Sequence, residues 1–164
     1  MSELIYYFDS SVFVAFFNDE QEKQRADTVE QLLDEAEAGK ISIVTSSFAL
    51  VEVLKLQGHK PISAVDEEKI VSFFEYPFIR LVDATRDVCE NARRLIWSHT
   101  SLHPKDAVHL ASALAFSQRE HLDGLFSYDG HFLKLNGVVT TKFSFTEPFI
   151  KQMKLSLSDN GKTV

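Results

Sequence analysis

The chain of 164 residues has a single cysteine, Cys89. No disulfide can form within it, and a reducing compartment suits it. No apolar run approaches the ~18 residues that a membrane span needs. The first residues lack the basic start and apolar core of a secretory leader. Together these absences lead to the expectation of a cytoplasmic protein with no membrane partner. Positive charge is also short: 17 Lys and Arg stand against 24 Asp and Glu, a net charge of -7. That argues against a protein that grips nucleic acid through bulk positive charge. It leaves room for an enzyme whose carboxylates are screened by bound cations, and for a basic protein partner. Internal repeats, linkers, low-complexity blocks and the Cys/His spacings of zinc sites are all missing.

What is present is an ordinary globular composition, 45% hydrophobic with 14 Phe. A chain of this length buries roughly 70% of its unfolded surface and folds without staples. The expected organisation is one domain over residues 1–155 and a polar, mobile tail over 156–164. Leu4 to Phe8 is an unbroken apolar and aromatic run that Asp9 stops. Such a run fits a strand buried on both faces, as in a parallel sheet. Further strands are expected at 41–45, 78–82, 124–127 and 138–141. Between them lie helical patterns at 12–17, 21–38, 48–57, 64–75, 86–99 and from Pro104 onward. In 21–38 the apolar positions Ala26, Val29, Leu32, Leu33 and Ala36 form a stripe of helical period. Ser46 or Ser47 suits a cap for 48–57, and Thr85 one for 86–99. Val88, Ala92, Leu95 and Ile96 mark the buried side of the latter, and Trp97 and the phenylalanines are expected in the core. Strands alternating with helices predict a three-layer α/β/α sandwich with a mostly parallel central sheet.

Four carboxylates stand in telling places. Asp9 and Asp129 each follow the carboxyl end of a predicted strand, Asp106 begins an alanine-rich helix, and Glu52 lies in the apolar stretch Leu50-Val51-Glu52-Val53-Leu54. Each has a plain explanation. Glu52 could pair with Lys55, Asp106 could favour a helix N-terminus, Asp129-Gly130 could be a turn, and Asp9 could cap a helix. Taken together they point elsewhere. In a parallel sheet, strand carboxyl ends and the starts of the following helices share one edge, where ligands bind. Several carboxylates gathered there repel one another unless a cation intervenes, and hard oxygen ligands suit Mg²⁺ or Mn²⁺. Such an ion lowers the pKa of bound water and stabilises charge on a reacting phosphodiester.

The motifs around these acids resemble those of the PIN-domain family, above all the VapC-like toxins of toxin–antitoxin pairs, along nearly the whole chain. Phe8-Asp9-Ser10-Ser11-Val12 is similar to the first motif, a strand ending in Asp followed by small hydroxyl residues. The stretch from Thr45 through Ser46, Ser47 and Phe48 to Glu52 and Val53 is similar to the second. His103-Pro104-Lys105-Asp106-Ala107-Val108-His109-Leu110-Ala111 carries the most specific likeness. Phe126-Ser127-Tyr128-Asp129-Gly130 resembles the fourth, with Ser127 where the family more often has Thr. The resemblance implies a PIN-like fold and a ribonuclease that cuts single-stranded or loop RNA by metal-activated water. Asp9, Glu52, Asp106 and Asp129 would be its catalytic and metal-holding acids, and Mg²⁺ or Mn²⁺ its cofactor. It further implies an antitoxin whose tail enters the acidic groove, and a homodimer.

Beside the acids, Ser10, Ser127, Lys105 and His109 are the expected substrate contacts. His109, one turn beyond Asp106, could touch substrate or steady a carboxylate; the plainer alternative is packing and hydrogen bonding on its helix. Arg93, Arg94, Lys105, Lys134 and Lys142 are the cations available to line a path for phosphates, with a solvated surface as the plain alternative. Two other functions compete: a binding module that does not cleave, and an aspartyl-phosphate hydrolase using Asp9 as nucleophile. The latter wants a second Asp where Ser11 stands.

Overall fold

The apolar runs separated by helical patterns fold as expected around a parallel sheet. The structure is a computed structural model that describes residues 3–18, 23–53 and 61–150. Five strands, β1 (Leu4–Phe8), β2 (Ile41–Ser46), β3 (Ile79–Val82), β4 (Gly124–Phe126) and β5 (Phe145–Thr146), form one sheet in the order β3-β2-β1-β4-β5. Every pairing is parallel; Tyr6 lies opposite Ile43 on one side and Gly124 on the other. The helices are α1 (Ser10–Phe17), α2 (Lys23–Glu37), α3 (Ala49–Glu52), α4 (Ala64–Phe74), α5 (Arg86–Ser98), α6 (Pro104–Ser117) and α7 (Gly130–Leu133).

The pleat of the sheet divides the core in two, because successive side chains of a strand face opposite sides. Tyr6, Phe8, Ile41, Ile43 and Phe126 pack with α1, α2 and α4 through Phe13, Val29, Leu32, Ile70 and Phe73. Tyr7, Val44, Leu125 and Phe145 pack with α5, α6 and α7 through Val88, Ala92, Leu110 and Phe132. The result is the three-layer sandwich. The same alternation sends the Tyr7 side chain toward α6, which matters below. Strand order reverses at β1, which neighbours β2 on one side and β4 on the other. The carboxyl ends of β1 and β4 therefore open the crevice where ligands bind in such sheets.

Two expectations need correction, and one helix was not anticipated. The fifth strand is Phe145–Thr146, not 138–141. The amides of Val138 and Val139 both turn back to the Leu135 carbonyl, and Val138 is exposed. Phe143 and Phe145 bury two rings instead, and large rings outweigh β-branched side chains in competition for a core. Trp97 is not in the core but 71% exposed, on the side of α5 away from Val88 and Ala92, with Arg93 stacked on its ring. Helix α7 has no apolar periodicity to announce it; the Asp129 carboxylate makes it by accepting from the amides of His131 and Phe132. Of the helix expected at 48–57, Ala49–Glu52 is seen, and the Phe48 amide bonds to the Ser46 hydroxyl. Its remainder beyond Val53 and the tail at 156–164 lie outside the described residues.

Candidate active site

Each expected acid is delivered to the crevice by a different element. Asp9 occupies the N-cap position of α1, yet its carboxylate makes no capping bond. Its Oδ2 instead accepts from the Ser11 hydroxyl at 2.8 Å and the Ser127 hydroxyl at 2.9 Å. The Asp9 amide bonds to the Phe126 carbonyl, and the Thr45 hydroxyl donates to the Phe8 carbonyl, so the end of β1 is tied to both neighbouring strands. Ser11 also accepts from the Tyr128 amide and Ser127 from the Asp129 amide. The ends of β1 and β4 are thus laced together by hydroxyls around one carboxylate.

Glu52, the last residue of α3, is held at one oxygen. Its Oε2 lies 2.5 Å from the Ser10 hydroxyl and 2.6 Å from Nε2 of His109. Burial pushes its pKa up, but the contacts with His109 and Ser10 prevail and hold the carboxyl below the usual glutamate value. The bland alternative, a pair with Lys55, involves a residue outside the described ones. His109 has no exposed surface, and its Nδ1 lies 2.9 Å from the Tyr7 hydroxyl. Both ring nitrogens are engaged inside the protein, Nε2 at Glu52 and Nδ1 at Tyr7, the arrangement of a packed, hydrogen-bonded histidine on its helix. Ser10 is likewise buried, its hydroxyl directed to Glu52. Ser127 is fully buried, with its hydroxyl on Asp9. Of the expected substrate contacts only Lys105 reaches solvent, its side chain 51% exposed.

Asp106, in the first turn of α6, is 1% exposed, and its Oδ2 has no hydrogen-bond partner among the described residues. Burial, with the nearby charges of Asp9 and Asp129, pushes its pKa up to about 6, against the opposing pull of Lys105 and His103. The Lys105 ammonium stands 4.0 Å from Asp106 and 3.4 Å from Asp129. Burial would lower the Lys105 pKa, but the charges of Asp106, Asp129 and Asp9 raise it overall. Burial would raise that of Asp129, but the His131 amide and Lys105 prevail and lower it.

The four acids therefore converge on one crevice: Ser10 and His109 stand between Asp9 and Glu52, and Lys105 joins Asp106 to Asp129. Among the described residues, no three Asp, Glu, His or Cys side chains already stand so as to grip an ion. The donor chemistry nevertheless fits a hard cation. A buried carboxylate oxygen without a hydrogen-bond partner is costly, and a bound ion would satisfy it. Mg²⁺ and Mn²⁺ retain several waters and need few direct protein ligands. Sequence pattern alone did not single out Tyr7 or treat Ser11 as part of the acid network. The signal for Tyr7 was a hydroxyl in a strand buried on both faces, which must find a partner.

Fold and site together define a parallel α/β domain with a carboxylate cluster at its topological switch point. More narrowly, residues 6–138 match the PIN domain, and the chain belongs to that family. No curated protein matches it. Among solved structures it is similar to Mycobacterium tuberculosis VapC20, described as a toxin that cleaves the sarcin-ricin loop, with 20% identity and TM-score 0.57 over 77% of this chain and 92% of that one. A toxin–antitoxin complex from Klebsiella pneumoniae aligns with 17% identity and TM-score 0.55, over 88% and 98% of the two chains. VapBC2 from Rickettsia felis, bound to a DNA fragment of its promoter, aligns with 15% identity and TM-score 0.60, also over 88% and 98%. At these identities the likeness is one of fold. Among the described residues no helix is long and apolar enough to cross a membrane.

Proposed function

We propose that this chain is a metal-dependent endoribonuclease, the toxin of a toxin–antitoxin pair, cutting single-stranded or loop RNA at the crevice of Asp9, Glu52, Asp106 and Asp129. The observation that carries this reading is Asp106, a buried carboxylate beside two other acids, one of whose oxygens has no hydrogen-bond partner among the described residues. The four acids would hold Mg²⁺ or Mn²⁺ between them, and the ion would supply an activated water and neutralise charge on the phosphodiester. Asp9 is oriented for this by Ser11 and Ser127, which occupy its Oδ2, while its Oδ1 lies at the longer distances of 3.5 Å from the Ser10 hydroxyl and 3.7 Å from Nε2 of His109. Lys105, the exposed cation of the crevice, is placed to meet a phosphate oxygen. Membership of the PIN family and the fold shared with a toxin that cleaves the sarcin-ricin loop support the same reading.

An antitoxin and a second copy of the chain are the proposed protein partners. The net charge of -7 favours a basic antitoxin segment. The tail of such an antitoxin would enter the acidic crevice of Asp9, Glu52, Asp106 and Asp129. The test of the activity is cleavage of single-stranded RNA by the purified protein with Mn²⁺. Wild type should cut and Asp9→Asn should not. RNA that is bound but uncut favours the non-cleaving module, and a stable phospho-adduct on Asp9 favours the phosphohydrolase.

A further inference from the structure

We propose that His109 is a positioning residue that presents the Glu52 carboxylate to a divalent cation, with Tyr7 fixing the orientation of its ring. The inference rests on the reading of Glu52 as one of the acids that hold the ion. Glu52 ends a four-residue helix, one turn that cannot by itself fix a side chain with several rotors. His109, by contrast, projects from the 14-residue α6, packed on β2 and α5. Its ring enters between two acids: Nε2 is 2.6 Å from Glu52 Oε2 and 3.7 Å from Asp9 Oδ1. The other nitrogen meets the Tyr7 hydroxyl at 2.9 Å, and Tyr7 is a fully buried residue of the central strand.

The geometry of that second bond decides which atom faces the acid. With Nδ1 held by Tyr7, Nε2 must face Glu52; a ring flipped by half a turn would turn carbon atoms to both partners and lose both bonds. In the neutral ring, Nε2–H donates to the carboxylate and Nδ1 accepts the phenolic proton. The Ser10 hydroxyl completes the arrangement by donating to the same oxygen, Oε2. Among the described residues no donor contacts Oε1 of Glu52. A partner that locks the orientation of a metal-holding carboxylate typically changes metal affinity 10- to 100-fold when removed. A histidine that merely fills the core would carry no such dependence on Glu52.

A double-mutant cycle read by calorimetry of Mn²⁺ binding to the purified full chain separates these roles. His109→Asn should weaken Mn²⁺ binding roughly tenfold or more. In a Glu52→Gln background the same change should weaken it no further, because the carboxylate through which it acts is gone. Tyr7→Phe keeps the ring and deletes only the hydroxyl, so it serves as the second probe should His109→Asn fail to fold; a smaller loss, again confined to the Glu52 background, is expected. Equal losses in both backgrounds, or a folded His109→Asn protein with wild-type affinity, would overturn the positioning role. Mn²⁺ binding that Glu52→Gln leaves untouched would instead overturn the assignment of Glu52 itself, and the positioning role with it.

Discussion

The crevice has two ends, and they treat the same kind of group in opposite ways. At one end Glu52 is met by a serine hydroxyl and a histidine ring, and its proton is held less tightly than in a free glutamate. At the other, Asp106 is shut in beside two like charges, its Oδ2 without a hydrogen-bond partner among the described residues and 3.7 Å from Nδ1 of His103, and its proton is held more tightly, with a pKa of about 6. One end is built rigid at the protein's own expense in packing polar groups. The other stores unfavourable energy that a cation would release. The difference teaches that the cluster is not four equivalent acids: Glu52 is placed in advance, and Asp106 is the group whose state an ion would change most.

Activity offers the largest contrast. Asp106→Asn should cut RNA cleavage by on the order of 10²–10³-fold, the usual loss when a group that stabilises transition-state charge is removed. Undiminished cleavage would dismiss the assignment. Stability should then separate the two ends by sign. A pKa raised from 3.8 to about 6 makes ionised Asp106 a burden on the fold, about 3 kcal/mol at 1.36 kcal/mol per unit. In chelator at pH 7.5, Asp106→Asn should therefore be more stable than wild type by up to that amount. The direction of the pH effect follows: the burden is absent below about pH 4, grows as pH rises through the folded value of about 6, and is full above it. The gain from Asn should vanish in urea melts as pH falls over that span.

Glu52→Gln should do the reverse. Its folded pKa is lowered, so the carboxylate contributes stability above its ordinary pKa, and this is lost as pH falls through the folded value. Replacing the charge weakens the bonds from Ser10 and His109, and a loss of about 1–3 kcal/mol is expected at pH 7.5. If both variants shift stability in the same direction, the contrast between the ends is wrong. The smallest effect belongs to Lys105→Met. That side chain is half exposed, so metal-free stability should drop by no more than about 1 kcal/mol, less at high salt. The same variant should lower cleavage through its loss of a phosphate contact.

Much of this arrangement could be read in the residues themselves. Strand runs that end in Asp9 and near Asp129, with Asp106 opening a helix, place acids at a common edge because parallel sheets put strand ends and helix starts there. What one residue type cannot reveal is which of several partners it will choose. Asp9 had the place of a cap, but the Ser11 and Ser127 hydroxyls captured its carboxylate. Asp129 does cap its short helix and also faces Lys105, so two explanations that looked exclusive hold together. His109 lies on the apolar side of its helix, where only the pleat of β1 decides that Tyr7 is there to meet it. The 138–141 run and Trp97 mislead for a simpler reason: composition marks what is able to be buried, and competition with Phe143 and Phe145, or a helix face turned outward, settles what is.

The central claim is that a divalent cation relieves the buried charge of Asp106, and thermal unfolding at pH 7.5 under increasing MnCl₂ tests it most directly. The melting temperature of wild type should climb with Mn²⁺, as binding to the folded state alone requires, while that of Asp106→Asn starts higher and stays nearly level. An equal rise in both proteins, or none in wild type, would contradict the account.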